Sequence, residues 1–78
     1  MTIEIITPEK TVFKGKVTLV QFPGRTGSFE VLYGHAPLVA SLKSGKIRMK
    51  DNENKITVID IQGGTVEVDN NYILVLAD

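Results

Sequence analysis

The sequence predicts an all-β fold, a two-layer β-sandwich of about ten short strands with no substantial helix, and three observations carry that expectation. The first is composition: nine Val, eight Ile and seven Thr among 78 residues, with only Ala36, Ala40 and Ala77 as alanines. Side chains branched at Cβ are stiff at χ1 and lose least on a pleated surface, whereas a helix would crowd them. The second is alternation of apolar and polar residues in short runs. The third is turn chemistry recurring about every 8 to 12 residues, the spacing of sandwiches and barrels.

Taken in order, Ile3 and Ile5 flank Glu4 and mark a first half-buried strand, closed by Thr7-Pro8. Lys14-Gly15 reads as the next turn. Val17 to Phe22 follows with apolar side chains on both faces, ending at Pro23-Gly24 with Gly27. Phe29, Leu32, Tyr33 and Ala36 have helical spacing, but Gly34 interrupts it and Pro37 closes it, so a turn at most is expected there. After a turn at Ser44-Gly45, Ile47 and Met49 alternate with Lys46, Arg48 and Lys50. Asp51-Asn52-Glu53-Asn54 turns the chain into Lys55 to Ile61, again apolar on both faces. Gly63-Gly64 reads as a turn, Val66 and Val68 alternate with Thr65, Glu67 and Asp69, and Asp69-Asn70-Asn71 leads into Tyr72 to Ala77. A small two-layer domain cannot bury both faces of three strands, so part of that surface is expected to meet a partner.

Length and charge narrow the function. A chain of 78 residues is one domain, residues 1–78, because a second core would leave each half too small to offset chain entropy. With no cysteine there is no disulfide framework and no thiolate metal site. Nine basic and nine acidic side chains balance to zero, which argues against nucleic-acid binding by phosphate neutralisation. Glu4 stands where a signal peptide would be basic, and no apolar run approaches the roughly 20 residues of a membrane span, so an intracellular, soluble chain without direct lipid insertion is expected.

Chemistry-bearing constellations are scarce. His35 has no HxH or HExxH partner, so a turn histidine bonded to backbone or to a partner is the favoured reading over a metal ligand. Ser28, Ser41 and Ser44 lack a nucleophile-elbow context, and the Pro23-Gly24-Arg25-Thr26-Gly27 loop lacks the lysine and following helix of a phosphate cradle. No catalytic residue, cofactor or metal is expected. The cations Lys46, Arg48 and Lys50 on one face read as a solvated, aggregation-resisting surface, with a single-stranded nucleic-acid stripe as the alternative. Met49-Lys50 supports a second alternative, a biotin or lipoyl carrier hairpin, although Asp51 to Asn54 departs from the flanks such a hairpin needs.

Two stretches are more specific: Ile5-Ile6-Thr7-Pro8-Glu9-Lys10-Thr11-Val12-Phe13-Lys14-Gly15, and Gly24 to Val39, which contains Gly34-His35-Ala36-Pro37-Leu38. With Gly63-Gly64-Thr65-Val66-Glu67-Val68 and the closing Val75-Leu76-Ala77-Asp78, the chain collinearly resembles the N-terminal domain of the epsilon subunit of F-type ATP synthase. The resemblance implies a β-sandwich that performs no chemistry. It implies a hetero-oligomer, with the domain packed on the gamma subunit and resting on the polar loops of the c-ring, so that ion-driven rotation is coupled to ATP synthesis. It also implies a peripheral location at the cytoplasmic face of the bacterial inner membrane. By position, the loop Gly24, Arg25, Thr26, Gly27, Ser28, Phe29, Glu30 matches the c-ring-facing loop. Thr7 and the segment His35, Ala36, Pro37, Leu38 match the gamma and ring contact. Ser28 stands where an acid is common, Glu30 where glycine is common and Tyr33 where proline is common; Glu30 could supply the carboxylate from two residues away. Relatives that continue past Leu76-Ala77-Asp78 carry two regulatory helices, so the resemblance implies coupling without inhibition by an extending helix pair.

Overall fold

Seven strands and no helix make up the computed structural model, which describes all 78 residues: β1 (Thr2–Ile6), β2 (Thr11–Lys16), β3 (Leu19–Phe22), β4 (Phe29–Leu32), β5 (Leu38–Lys50), β6 (Ile56–Asp69) and β7 (Tyr72–Ala77). Hydrogen bonding joins them in the order β2-β1-β7-β6-β5-β3-β4, with β1 and β7 parallel and every other pair antiparallel.

The expected two layers are formed by seven strands rather than about ten, because β5 and β6, 13 and 14 residues long, each run through both layers. Residues 38–42 of β5 pair with 64–68 of β6, which pairs onward with β7, giving a five-stranded layer β2-β1-β7-β6-β5. Residues 45–50 of β5 pair with 56–61 of β6 and with β3, giving a four-stranded layer β6-β5-β3-β4. The ladder skips one rung at the crossing, from Lys43↔Gly63 to Gly45↔Ile61.

Alternation changes phase at that rung. In β5 the inward residues are Leu38, Ala40 and Leu42 before the crossing and Ile47 and Met49 after it. In β6 they are Thr57, Ile59 and Ile61 before it and Val66 and Val68 after it. A chain in ordinary extended geometry cannot skip a beat, since successive side chains point to opposite faces. Gly63 and Gly64 absorb the slip at φ 138° and 148°, a region that residues with a Cβ rarely adopt. Gly63-Gly64 and Ser44-Gly45 are therefore not the turns the sequence suggested. They are bends within continuous strands, where glycine permits a face change that its pairing partner follows.

Two further expectations are corrected. Lys14-Gly15 lies inside β2, and a Cβ at Gly15 would come 3.3 Å from Cζ of Phe13, so that glycine makes room for an aromatic ring on the same face. Phe29–Leu32 is a strand, paired residue for residue with β3, and only Tyr33-Gly34 turns. Pairing with β3 outweighs the helical spacing, because four residues cannot sustain a helix alone.

The other turns are as expected. Asn70 and Asn71, at φ 54° and 61°, form the two-residue loop between Asp69 and Tyr72, the mirror-image turn that suits twisted strands. Asp51 accepts the Glu53 and Lys55 amides on Oδ1, each at 2.9 Å, while Asn54 takes φ 64°. Thr7 closes its turn by accepting the Lys10 amide on Oγ1 at 3.3 Å and donating its own amide to the Lys10 carbonyl at 2.9 Å.

Between the layers lie fifteen buried apolar residues, with Phe22, Ile3, Ile5, Ile47, Met49 and Ile73 the largest. No polar side chain is buried. Each fully buried aliphatic or aromatic side chain contributes about 1.5–3 kcal/mol relative to exposure, so this core is a principal source of the domain's stability.

Candidate functional surfaces

Strand pairing sorts the candidate residues onto the two ends of the sandwich. Gly24 bridges Leu42, Leu42 pairs with Gly64, and Gly64 pairs with Ala77, so the loop from Gly24 to Ser28 sits at the crossing end. Thr7 follows Ile6, which pairs with Leu76, and so lies at the same end on the other side of the five-stranded layer. His35, Ala36 and Pro37 lie at the opposite end, where the chain passes from β4 to β5 and Gly34 N donates to Asn71 Oδ1 at 2.8 Å. Adjacency in sequence thus separates in space: β4 carries the chain from one end to the other.

The loop has a fixed base and a free tip. Arg25 N donates to the Ser41 carbonyl at 3.0 Å and Lys43 N to the Pro23 carbonyl at 2.9 Å, stitching the base to the β5 edge. Gly27 N closes a turn onto the Gly24 carbonyl at 3.1 Å. Gly24 has no room for a side chain, since a Cβ would stand 2.9 Å from the Phe29 ring and closer still to the Gly27 carbonyl. The Phe29 ring rests on Phe22, centroids 5.4 Å apart, which ties the far side of the loop into the core. Arg25, Thr26, Gly27 and Ser28 are exposed. Glu30, on the outer face of β4, accepts from Gln21 Nε2 at 2.6 Å.

At the opposite end, His35 Nδ1 lies 2.7 Å from the Ala36 carbonyl, and because a carbonyl only accepts, Nδ1 carries the proton. Its backbone amide donates to the Leu32 carbonyl at 3.0 Å. This is a turn histidine held by backbone. No three His, Asp or Glu side chains gather anywhere in the chain in a way that could hold a metal ion. Leu38 begins β5 half-buried, and with Val39, Phe29 and the base of the Gly24 loop it lines a shallow groove along the open side of the sandwich.

Both layers carry apolar side chains outward. On the five-stranded layer, pairing sets Ile6 beside Leu76 and places Leu74 between Glu4 and Glu67, with Val39 next to Glu67. Val39 is 71% exposed. Tyr72 on this face donates its hydroxyl to Glu4 Oε1 at 2.7 Å. That hydrogen bond, with some desolvation and the Glu4 charge, raises the Tyr72 phenol above its ordinary 10.0. On the four-stranded layer, Ile56, Lys50, Leu19 and Leu32 form one row and Val58, Arg48, Gln21 and Glu30 the next. The cations foreseen on one face are there, but interleaved with apolar and acidic neighbours, and Lys46 pairs with Asp60 at 2.7 Å. Lys50 is half-buried at the end of β5, with its carbonyl accepting from Thr18 at 2.8 Å, rather than raised on a hairpin tip as a carrier lysine requires.

Sequence reasoning anticipated the two-sided strands at Tyr72 to Ala77 and Lys55 to Ile61. It did not anticipate Val39, because a valine among Leu38 and Ala40 carries no sign of which neighbour faces out.

Fold and surface together define a small β-sandwich domain with exposed loops, partly apolar sheet faces and only open, shallow grooves. The chain belongs to the ATP synthase delta/epsilon chain β-sandwich domain family, whose model matches residues 1–78. It is 43% identical over 77 residues to the ATP synthase epsilon chain of Chlorobaculum tepidum, covering 99% of this chain and 88% of that one. To the epsilon chain of Desulfatibacillum aliphaticivorans it is 42% identical over 76 residues, covering 97% of this chain and 54% of that one. Among solved structures, a chain of the Euglena gracilis mitochondrial ATP synthase superposes with a TM-score of 0.90 at 19% identity, covering 96% of this chain and 48% of that chain. One from the central stalk and c-ring of the Tetrahymena thermophila mitochondrial enzyme superposes with a TM-score of 0.81 at 16% identity, covering 99% of this chain and 62% of that chain. At those identities the structural matches speak to the fold.

Proposed function

We propose that this domain is a non-catalytic rotor component of an ATP synthase, linking a gamma subunit to the polar loops of the c-ring at the cytoplasmic face of a bacterial inner membrane. The observation that carries the reading is the set of outward apolar side chains on the five-stranded layer, Ile6 beside Leu76 and, in the next row, Leu74 and Val39 alternating with Glu4 and Glu67, near a polar loop with an anchored base. Apolar side chains with polar neighbours suit a protein interface, in which burial supplies affinity and the carboxylates supply polar contacts. The loop of Arg25, Thr26, Gly27 and Ser28 suits a polar surface, since it offers hydrogen-bonding groups and one exposed cation, Arg25, which a polar partner loop can keep solvated or paired.

Torque transmission needs a part that does not shear. β5 and β6 run unbroken through both layers, so sliding one layer over the other requires bending two paired strands at once. A load entering at the Gly24 loop passes through the Arg25 and Lys43 backbone bonds into β5, and from β5 into both layers.

The test is Glu30→Lys in the complete synthase from the same source. Weaker retention of the subunit on the ring and reduced ATP synthesis per ion gradient are expected, with the isolated domain still folded because Glu30 is exposed. Unchanged coupling in that variant would count against Glu30 as a ring contact. Hydrogen exchange on the co-purified complex checks the other face: amides of β1 and β7 should gain protection when gamma is bound.

A further inference from the structure

A sandwich of two open layers leaves four strand edges, and three of them are protected. β2 carries Lys14 and Lys16 and meets β1 through a register shift between Ile5 and Ile6. The 38–42 half of β5 is partly covered by the Pro23 to Arg25 segment. β4 is four residues long and bears Glu30. Short edges, charges, bulges and covering segments are the usual ways of keeping an edge from pairing. Residues 56–61 of β6 have the fewest of them: the run Ile56-Thr57-Val58-Ile59-Asp60-Ile61 is six residues long with no proline, glycine, bulge or covering segment, and its single charge, Asp60, is paired with Lys46.

Ladder phase shows which backbone groups are open. Asp51 N donates to the Lys55 carbonyl, so that pair faces inward, and alternation then turns the N–H and C=O of Ile56, Val58 and Asp60 away from β5. The side chains of Ile56 and Val58 are 39% and 49% exposed.

We propose that this edge pairs, antiparallel, with the same edge of a second copy of this chain, Thr57 facing Thr57 across a two-fold axis. Residues with open groups must face one another, so even-numbered positions oppose even-numbered ones. Centring on Thr57 sets Ile56 opposite Val58 twice, Thr57 opposite itself and Asp60 opposite Asn54, with no like charges facing. Centring on Val58 would instead set each Asp60 carboxylate against Ile56. β-branched pairs and Thr–Thr pairs are favourable cross-strand neighbours, and an isologous contact closes without propagating. The product is a continuous eight-stranded outer sheet, four strands from each copy. So short an edge buries less than the roughly 1,200 Å² of a stable interface, so the pairing is weak and depends on concentration.

The experiment uses the whole chain alone and so does not depend on the rotor reading. Sedimentation velocity from about 10 μM to about 1 mM, the range of weak interfaces, should show a monomer–dimer equilibrium. Val58→Lys, exposed and checked for an unchanged circular dichroism spectrum, should raise the dissociation constant at least about tenfold. The chain has no cysteine, so Thr57→Cys is a clean register probe. Opposed residues that do not hydrogen-bond to each other have Cα atoms about 4.5 Å apart, within disulfide reach, so this variant should oxidise to a dimer while Ser41→Cys stays monomeric. A monomer at every concentration overturns the proposal. So does association indifferent to Val58→Lys, or cross-linking as fast at Ser41 as at Thr57. Protection of the Ile56, Val58 and Asp60 amides only on adding gamma would also overturn it, assigning the edge to that partner.

Discussion

Replacing Gly64 with alanine tests the crossing of the two layers. Gly64 sits at φ 148°, and a Cβ there would run into the Leu76 carbonyl and come within 3.0 Å of the Ala77 Cα. All of these obstacles are backbone of β7, so relief requires moving a strand rather than turning a rotamer. Holding alanine in this backbone region costs about 1–3 kcal/mol. Pushing β7 back weakens one or two ladder bonds around Gly64↔Ala77 and Thr65↔Leu76, at about 0.5–1.5 kcal/mol each. The sum is about 1.5–6 kcal/mol. At roughly 0.05–0.15 kcal/mol per residue a domain of this size has about 4–12 kcal/mol in total, so at mid-range values the variant should lose roughly half of its stability. Urea unfolding followed by circular dichroism measures it, with Gly27→Ala as the control. Gly27 also has a positive φ, 137°, but nothing stands within 4 Å of its Cβ position, so only the conformational part applies. If Gly64→Ala costs no more than Gly27→Ala, or less than about 0.5 kcal/mol, the account of the crossing is wrong.

Two other perturbations read the surfaces. In a Tyr33→Phe background, absorbance at alkaline pH should show Tyr72 titrating above 10.0, and Glu4→Ala should bring it back toward that value by removing the hydrogen bond and the charge. The sign follows: because folding raises this phenol, its contribution to stability is complete below 10.0 and is lost as pH rises through the raised value. The Lys46–Asp60 pair is close, at 2.7 Å, but its side chains are 67% and 74% exposed, so a double-mutant cycle should return a coupling below about 0.5 kcal/mol and smaller still at high salt. A coupling above about 1.5 kcal/mol would mean that the pair is held and desolvated more than its exposure indicates.

How far the surfaces were legible depended on the range of the interaction. Alternation revealed Ile3/Ile5, Ile47/Met49 and Val66/Val68, and the Asn70-Asn71 and Asp51 turns were readable because their signals act within a few residues. His35 behaves as a lone imidazole in a turn should, bonded to the next carbonyl. The Gly24 loop could be identified as a loop, but not its anchorage, because the groups that hold it, Ser41 and Lys43, lie well along the chain. Nor could any local rule separate the Gly24 loop from His35-Ala36-Pro37 by the length of β4.

By itself the sequence determined an all-β domain with no excess charge, no disulfide, and more apolar strand surface than two layers can bury, because composition and two-residue periodicity are properties of the chain alone. Only the tertiary structure decided that Gly63-Gly64 and Ser44-Gly45 continue strands instead of ending them. A glycine pair allows either a reversal or a face change, and the choice belongs to what lies alongside. Here β7 and the 38–42 half of β5 pair across 64–68 and hold the chain extended through the bend.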